Sequence, residues 1–329
     1  MKCTWPFSGR AVKGQPKNGN DSGANGSRPD FLCVGAQKGG TTWLFWQLDS
    51  HPDFWMPPVK ELHYFDKLGR HNRVAPPRRQ FHRATAYRSR DERDVRFLEN
   101  MKSLSARPTI DLENYGRLFQ PKGPLLSGDV TPAYSMLDDE IIQQITSYFP
   151  DLKVIFLARD PVERAWSQLS MEVRRGWISS FDVTDIDDVD RNLLHPRVLS
   201  RSHPSKIVAR WKRYVHPDRF RIYFFDDLER NPSELRHRIL HFLGADPEKQ
   251  SKRVPPDYNA DAGQRKLRLT DKVRARVAHF FEHELKACAA ELGGPAKEWP
   301  ARYGFSLLLY FWDLLDDRID LFFWCDWIC

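Results

Sequence analysis

The sequence predicts an α/β fold, a three-layer sandwich in which helices cover both faces of a central, mostly parallel sheet. From Phe31 onward, short apolar runs that end in turn residues alternate with helical patterns, which is typical of consecutive βα units. The chain has 329 residues, of which 41% are hydrophobic, so it can bury a sizeable core. This composition excludes collagen-like, low-complexity and wholly disordered proteins.

Four apolar runs predict the strands of this sheet, namely Phe31–Gly35, Leu125–Val130, Lys153–Ala158 and Phe220–Phe225. Six amphipathic stretches predict helices over Thr41–Asp49, Asp138–Phe149, Pro161–Arg175, Ser205–Val215, Pro232–Leu243 and Asp271–Leu292. Two helix starts carry clear signals. Asp160-Pro-Val-Glu163 and Asn231-Pro-Ser-Glu234 each offer an N-cap, a proline at the first helical position and a glutamate three residues after the cap.

The charge pattern divides the chain into segments. We predict a flexible polar tail over 1–28, one domain over 29–300, and an aromatic segment over 301–329 that docks on the domain. The formal net charge is +7. Residues 67–107 hold twelve basic and four acidic residues and are interpreted as a basic insertion, which suits an anionic partner.

The cysteines and the two ends of the chain bear on location. Five widely spaced cysteines without a Cys-x-x-Cys pair argue against a disulfide scaffold or a zinc site. The first 30 residues contain no apolar run of signal-peptide length, so we expect a cytoplasmic protein. Eight aromatic residues lie among the last 25, but aspartates interrupt them. Membrane contact by this segment is therefore the less favoured alternative to docking.

The first functional motif is a glycine-rich turn between the first predicted strand and helix. It reads Gly35-Ala-Gln-Lys38-Gly39-Gly40-Thr41-Thr42-Trp43. Backbone N–H groups, the positive end of the helix dipole, a lysine and two hydroxyls would converge there on a phosphate. The motif predicts a P-loop-NTPase-like phosphate cradle, although Lys38 precedes the paired glycines and so departs from G-x-x-x-x-G-K-[ST].

The second motif follows the strand that ends at Ala158. Where an enzyme of Mg²⁺-dependent phosphoryl transfer usually places an acidic metal ligand, this chain has Arg159. Asp160 is best explained as the helix N-cap. The Arg159 guanidinium suits a phosphate at the carboxyl edge of the sheet, and Ser167, two turns into the helix, could add a hydroxyl.

Together these motifs resemble the sulfotransferase superfamily, which uses 3′-phosphoadenosine 5′-phosphosulfate (PAPS). The resemblance implies that Arg159 and Ser167 bind the 3′-phosphate and that no metal is required. It assigns the cofactor's 5′-phosphosulfate end to the β–α loop, residues Lys38, Gly39, Gly40, Thr41, Thr42 and Trp43. The family's late basic loop is missing here, and Lys252-Arg253 or Arg265-Lys266 could replace it.

A third motif resembles the glycan O-sulfotransferases. Lys60-Glu61-Leu-His63-Tyr-Phe-Asp66 is similar to their Lys-Glu-x-His-Phe-Phe-Asp segment, and Gly128-Asp-Val-Thr-Pro-Ala-Tyr134 is similar to their Gly-Glu-x-Thr-Pro-x-Tyr segment. The resemblance makes Glu61 the catalytic base, with Lys38 and His63 also catalytic. Lys60, His63 and Asp66 are then expected to bind or orient the acceptor.

The expected function is transfer of a sulfuryl group from PAPS to an acceptor hydroxyl, by in-line attack. The expected partner is a hydroxyl-bearing molecule, anionic or sugar-rich, with a carbohydrate as one candidate. Two alternatives stay open: a P-loop kinase or hydrolase that uses Mg-ATP, and a basic module that binds nucleic acid through 67–107. That stretch shows no recognition motif, so no nucleic-acid partner is expected.

Overall fold

Four parallel strands form the sheet at the centre of the molecule. The computed structural model describes residues 28–66, 91–105, 109–178, 181–193, 195–249, 254–258 and 267–306. The strands are β1 (Phe31–Gly35), β2 (Gly128–Val130), β3 (Lys153–Ala158) and β4 (Phe220–Phe224), in the spatial order β2-β1-β3-β4. Every neighbouring pair is parallel. All carboxyl ends therefore meet at one edge of the sheet, where open α/β folds bind ligands.

Helices cover both faces of this sheet. In chain order they are α1 (Thr41–Asp49), α2 (Glu92–Ser105), α3 (Leu112–Arg117), α4 (Asp139–Tyr148), α5 (Pro161–Arg174), α6 (Ile186–Leu193), α7 (Pro196–Leu199), α8 (Pro204–Lys212), α9 (Phe225–Arg230), α10 (Pro232–Leu243), α11 (Asp271–Phe280) and α12 (Glu282–Leu292). Alternate residues of β1 point to opposite faces: Leu32 and Val34 join one core cluster, while Phe31 and Cys33 join the other. The first cluster contains side chains of α2, α4 and α5, and the second those of α1 and α10. The predicted three-layer α/β sandwich is confirmed.

Both predicted helix caps form. The Asp160 side chain accepts a hydrogen bond from the Val162 N–H at 2.9 Å, and the Asn231 side chain accepts one from the Glu234 N–H at 3.1 Å. The glutamate of the first cap has a different partner from the expected one. Glu163 pairs with Arg274 of α11, so it ties α5 to a helix 111 residues away in the sequence.

Two of the differences from the predicted elements follow from contacts with other segments. The strand predicted over Leu125–Val130 is shorter, because the Leu126 N–H donates to the Asp53 carbonyl at 2.9 Å and so joins the segment around Phe54 instead of β1. The single helix predicted over Asp271–Leu292 is divided at Phe281, whose ring is buried in the core. The division lets α11 pack on α5 and α6 while α12 packs on α8.

Part of the predicted basic insertion belongs to the packed domain. Helix α2 lies within it and buries Phe97, Leu98, Met101 and Leu104 in the core. The structure does not describe residues 1–27, 67–90 and 307–329, so the segment boundaries stay predictions. None of the helices within the described ranges is long and apolar enough to cross a bilayer. The cytoplasmic location likewise stays a prediction.

Candidate functional site

The loop between β1 and α1 lies at the carboxyl edge of the sheet and has two residues with left-handed backbone. Lys38 has a φ of 70° and Gly40 a φ of 97°. A side chain at Gly39 would place its Cβ only 2.4 Å from the Leu157 carbonyl oxygen, so the loop can lie against β3 only with glycine there. Gly40 is the N-cap of α1 and offers no side-chain acceptor. The first N–H groups of α1 therefore lack a side-chain cap and suit an anion.

A cleft of about 800 Å³ opens beside this loop. Eight of the predicted site residues line it, namely Lys38, Gly40, Thr41, Thr42, Trp43, Glu61, Arg159 and Ser167. Gly39 lies on the side of the loop that packs against β3. Residues that are far apart in sequence thus converge on one cavity, as the motifs predicted.

Arg159 extends from the end of β3 into this cleft and is held on two sides. Its Nη1 donates to the Lys38 carbonyl at 2.9 Å, and its guanidinium lies 4.1 Å from the centre of the Phe225 ring. Burial lowers the pKa of Arg159 below its ordinary value. Its buried Nε has no hydrogen-bond partner within the described part of the chain. Because Arg159 lines the cleft, its positive charge suits an anionic ligand there.

A short loop over 254–258 closes one side of the cleft. The Trp43 Nε1–H donates to the Pro256 carbonyl at 2.6 Å, and the Gln47 Nε2–H donates to the Pro255 carbonyl at 2.8 Å. These bonds tie the loop to α1, and Tyr258 then lines the cleft. The predicted basic pairs Lys252-Arg253 and Arg265-Lys266 flank this loop but lie outside the described residues.

Four side chains near the cleft form a chain of charged contacts. His63 Nε2 lies 3.2 Å from Glu61 Oε2, and His63 Nδ1 lies 3.0 Å from Asp66 Oδ2. Lys60 Nζ lies 3.5 Å from Glu61 Oε1. Glu61 alone of these lines the cleft, so Lys60, His63 and Asp66 are placed to act on it or beside it.

The pKa values of this group follow from its contacts. Burial would lower the pKa of His63, but hydrogen bonds and charges from Asp66 and Glu61 outweigh it and raise the pKa to about 9. Burial would raise the pKa of Glu61, but the hydrogen bond to His63 and the charge of Lys60 lower it below the usual 4.5. At neutral pH the His63 imidazolium therefore lies beside an ionised Glu61.

Sequence reasoning missed several residues that line the cleft. They are Gln37, Pro132, Met171, Arg174, Arg175, Phe225, Leu228, Glu229, Pro232, Asp257 and Tyr258. Met171 and Arg174 could have been found, because they follow Ser167 at i+4 and i+7 and so share its helix face. Phe225 directly follows β4 and so also lies at the carboxyl edge. Among the side chains that the structure describes, no cluster of three or more His, Cys, Asp or Glu residues could hold a metal ion.

A parallel sheet with a glycine-rich loop and a cationic cleft at its carboxyl edge is the arrangement of an α/β protein whose site suits phosphate groups. Residues 29–249 match the model of the sulfotransferase family, and the chain belongs to that family. A sulfotransferase from Alicyclobacillus acidocaldarius shares the fold, with a TM-score of 0.59 and 21% identity over 83% of this chain and 98% of that one. The family and the fold support sulfotransfer as the activity.

One curated relative also matches. The membrane-associated sulfotransferase kil1 of Dictyostelium discoideum is 25% identical over 167 residues. These residues are 51% of this chain and 27% of that protein, so the match spans about a quarter of the relative's length.

Proposed function

We propose that the protein transfers the sulfuryl group of PAPS to an acceptor hydroxyl, with Glu61 as the base. The proposal is carried by one observation: a single cleft of about 800 Å³ joins the β1–α1 loop, Arg159, Ser167 and Glu61. Membership of the sulfotransferase family supports the reaction class. The donor, the acceptor and the roles of individual residues are our proposals.

The cleft suits a nucleotide with phosphate groups at two positions. Lys38 and the uncapped N-terminus of α1 offer positive charge and N–H donors at one position. Arg159 and Ser167, which both line the cleft, offer a guanidinium and a hydroxyl at the other. We assign the 5′-phosphosulfate to the first position and the 3′-phosphate to the second.

When bound, PAPS supplies the sulfuryl group, whose transfer forms an O–S bond to the acceptor and breaks the S–O bond to the nucleotide phosphate. Glu61 accepts the proton that the acceptor hydroxyl loses. Lys38 and the N-terminus of α1 offset the negative charge that develops on the phosphate side. His63, as an imidazolium between Glu61 and Asp66, keeps Glu61 ionised and fixed in orientation.

The acceptor that we propose is anionic or sugar-rich. The basic stretch over 67–107 directly follows the segment that carries Glu61, and its excess of basic residues favours a negatively charged molecule. Arg174 and Arg175 line the same cleft and add to this positive charge. A panel of sulfated glycans, neutral glycans and phenols, offered with labelled PAPS, tests this choice; transfer to neutral phenols alone would contradict it.

Calorimetric titration with adenosine 3′,5′-bisphosphate tests the donor without knowledge of the acceptor. We expect tight binding that does not depend on Mg²⁺ and that is lost in Arg159→Ala. The matched control is Arg219→Ala, because Arg219 is an ion-paired arginine at the opposite edge of the sheet, 2.9 Å from Asp151. Binding to Mg-ATP alone would instead favour the kinase alternative and remove the role of Glu61.

A further inference from the structure

A buried carboxylate lies behind the segment that carries Glu61 and His63. Asp129 belongs to β2 and its residue surface is 2% exposed. Its Oδ1 accepts a hydrogen bond from the Thr131 hydroxyl at 2.6 Å. Its Oδ2 accepts from the hydroxyls of Tyr134 at 2.7 Å and Tyr115 at 3.0 Å. Three hydroxyl groups therefore converge on one carboxylate that does not line the cleft.

Two of these hydroxyls continue to the backbone of the catalytic segment. Thr131 Oγ1 accepts a hydrogen bond from the Leu62 N–H at 3.0 Å, and the Tyr134 hydroxyl accepts one from the Tyr64 N–H at 3.1 Å. A hydroxyl has one proton, so each can accept from an amide and still be satisfied because it donates that proton to Asp129. Burial raises the pKa of Asp129 to about 6, so it is ionised at neutral pH and accepts from all three hydroxyls.

The two backbone contacts bracket His63. Leu62 and Tyr64 are its immediate neighbours, and His63 itself has a φ of 54°, in the left-handed region that non-glycine residues seldom adopt. Such a conformation persists only where the surroundings fix it. The contacts on both sides do so, and they leave the imidazole between Glu61 and Asp66.

We propose that Asp129 acts through Thr131 and Tyr134 as a positioning residue that sets the orientation of Glu61 and His63 for proton transfer. The inference rests on the proposed function, which makes Glu61 the base. We call the contacts of Thr131 with the Leu62 N–H and of Tyr134 with the Tyr64 N–H the two ties. Because the ties hold the backbone of this segment, removing one of them should impair the acid–base group and leave the nucleotide site intact.

Tyr115 supplies a matched control. Its hydroxyl donates to the same Asp129 oxygen as that of Tyr134, and both side chains are fully buried. Both rings also pack on Phe65, at 4.5 Å and 5.2 Å between ring centres. Within the described ranges, Asp129 is the hydrogen-bond partner that the structure shows for the Tyr115 hydroxyl, and the Tyr115 ring stacks on Tyr64 at 5.2 Å, a contact that phenylalanine would keep. Tyr115→Phe thus removes an equivalent bond without removing a tie.

The first readout is the pKa of His63, followed by NMR of ¹⁵N-histidine-labelled protein and assigned with His63→Gln. The charged groups that face His63 are Glu61, Asp66 and, behind the segment, Asp129, with Lys60 on the far side of Glu61. In Tyr134→Phe and Thr131→Val we expect the pKa to fall by about one unit or more towards the ordinary value, since the contacts to Glu61 and Asp66 loosen. In Thr131→Ser, which keeps the hydroxyl, and in Tyr115→Phe it should stay near the wild-type value.

The second readout is catalysis set against binding. Turnover with any acceptor that the panel identifies should fall about tenfold to 100-fold in Tyr134→Phe and Thr131→Val, since small displacements of catalytic groups have effects of this size. The affinity for adenosine 3′,5′-bisphosphate should not change in any variant. Tyr134→Phe and Thr131→Val remove one tie each. If one of these variants fails to fold, the other still tests the proposal.

Equal losses of turnover in Tyr115→Phe and Tyr134→Phe would overturn the proposal, because they would show that Asp129 stabilises the fold and does not position Glu61 and His63. An unchanged His63 pKa in both Tyr134→Phe and Thr131→Val would overturn it as well. Failure of the proposed function looks different: the wild-type protein would not bind adenosine 3′,5′-bisphosphate, while the NMR comparison would still decide whether the ties position His63.

Discussion

Replacing His63 with glutamine should change how the stability of the protein depends on pH. His63 is ion-paired with Glu61 at 3.2 Å and with Asp66 at 3.0 Å, and its side chain is 21% exposed. These partners raise its pKa from 6.5 to about 9 in the folded state. Glutamine has a similar reach but cannot carry the charge, so the variant keeps the packing and loses the titration.

The size of the effect follows from the two pKa values. One pKa unit corresponds to about 1.4 kcal/mol, so the folded state favours the protonated imidazole by about 3 kcal/mol. Because the folded pKa lies above the unfolded one, this stabilisation is fully present below pH 6.5 and is lost as the pH rises to about 9. The free energy of unfolding of the wild type, relative to that of His63→Gln, should therefore fall by about 3 kcal/mol across this window.

Urea denaturation at several pH values between 6 and 10 measures this difference. His237→Gln is the control, because His237 lies exposed on α10 and faces Glu248 at 3.7 Å. Its profile should run parallel to that of the wild type. If the profiles of His63→Gln and the wild type were also parallel, His63 would not be an imidazolium at neutral pH, and the description of the Glu61 environment would be wrong.

Three further variants test the site. Glu61→Gln should lower turnover by about 10²-fold to 10⁴-fold while calorimetry shows unchanged affinity for adenosine 3′,5′-bisphosphate; full turnover would remove Glu61 as the base. Lys38→Ala should weaken that affinity by about 1.5–3 kcal/mol, the usual contribution of a charged hydrogen bond, and an unchanged dissociation constant would place the phosphate elsewhere. Gly39→Ala should lower the melting temperature and abolish nucleotide binding, because the added Cβ would lie 2.4 Å from the Leu157 carbonyl; overpacking costs about 1–3 kcal/mol, and an unaffected variant would contradict the loop geometry.

Local patterns were sufficient to predict the parts of the site that follow strand ends. β1 and β3 begin and end where their apolar runs do, and parallel strands bring the residues after them to one edge. This is why Lys38 and Arg159, 121 residues apart, were expected at the same edge of the sheet. The Asp160 and Asn231 caps were also predictable, since capping depends on a few adjacent residues.

Contacts between distant segments could not be predicted in this way. The Tyr134 hydroxyl meets the Tyr64 N–H across 70 residues, and the Trp43 indole meets the Pro256 carbonyl across 213 residues. Neither pairing leaves a periodic or local signal, because each depends on how whole elements pack. The division of the last predicted helix at Phe281 has the same origin, since each half packs on a different neighbour.

Arg159 also bears on the choice between sulfuryl transfer and Mg-dependent phosphoryl transfer. Its guanidinium interacts with the charges of Glu163, Glu229, Asp160 and Asp226, and Glu229 lines the same cleft as Arg159. A divalent cation held about 4 Å away would be repelled by about 4 kcal/mol for each unit of its charge, at the effective dielectric constant of a protein surface. A phosphate dianion at the same distance would be attracted by about 4 kcal/mol for each unit of its charge. The charge of Arg159, which directly follows β3, by itself therefore favours a second phosphate over a metal, and comparing the binding of adenosine 3′,5′-bisphosphate with that of Mg-ATP on one protein tests this difference.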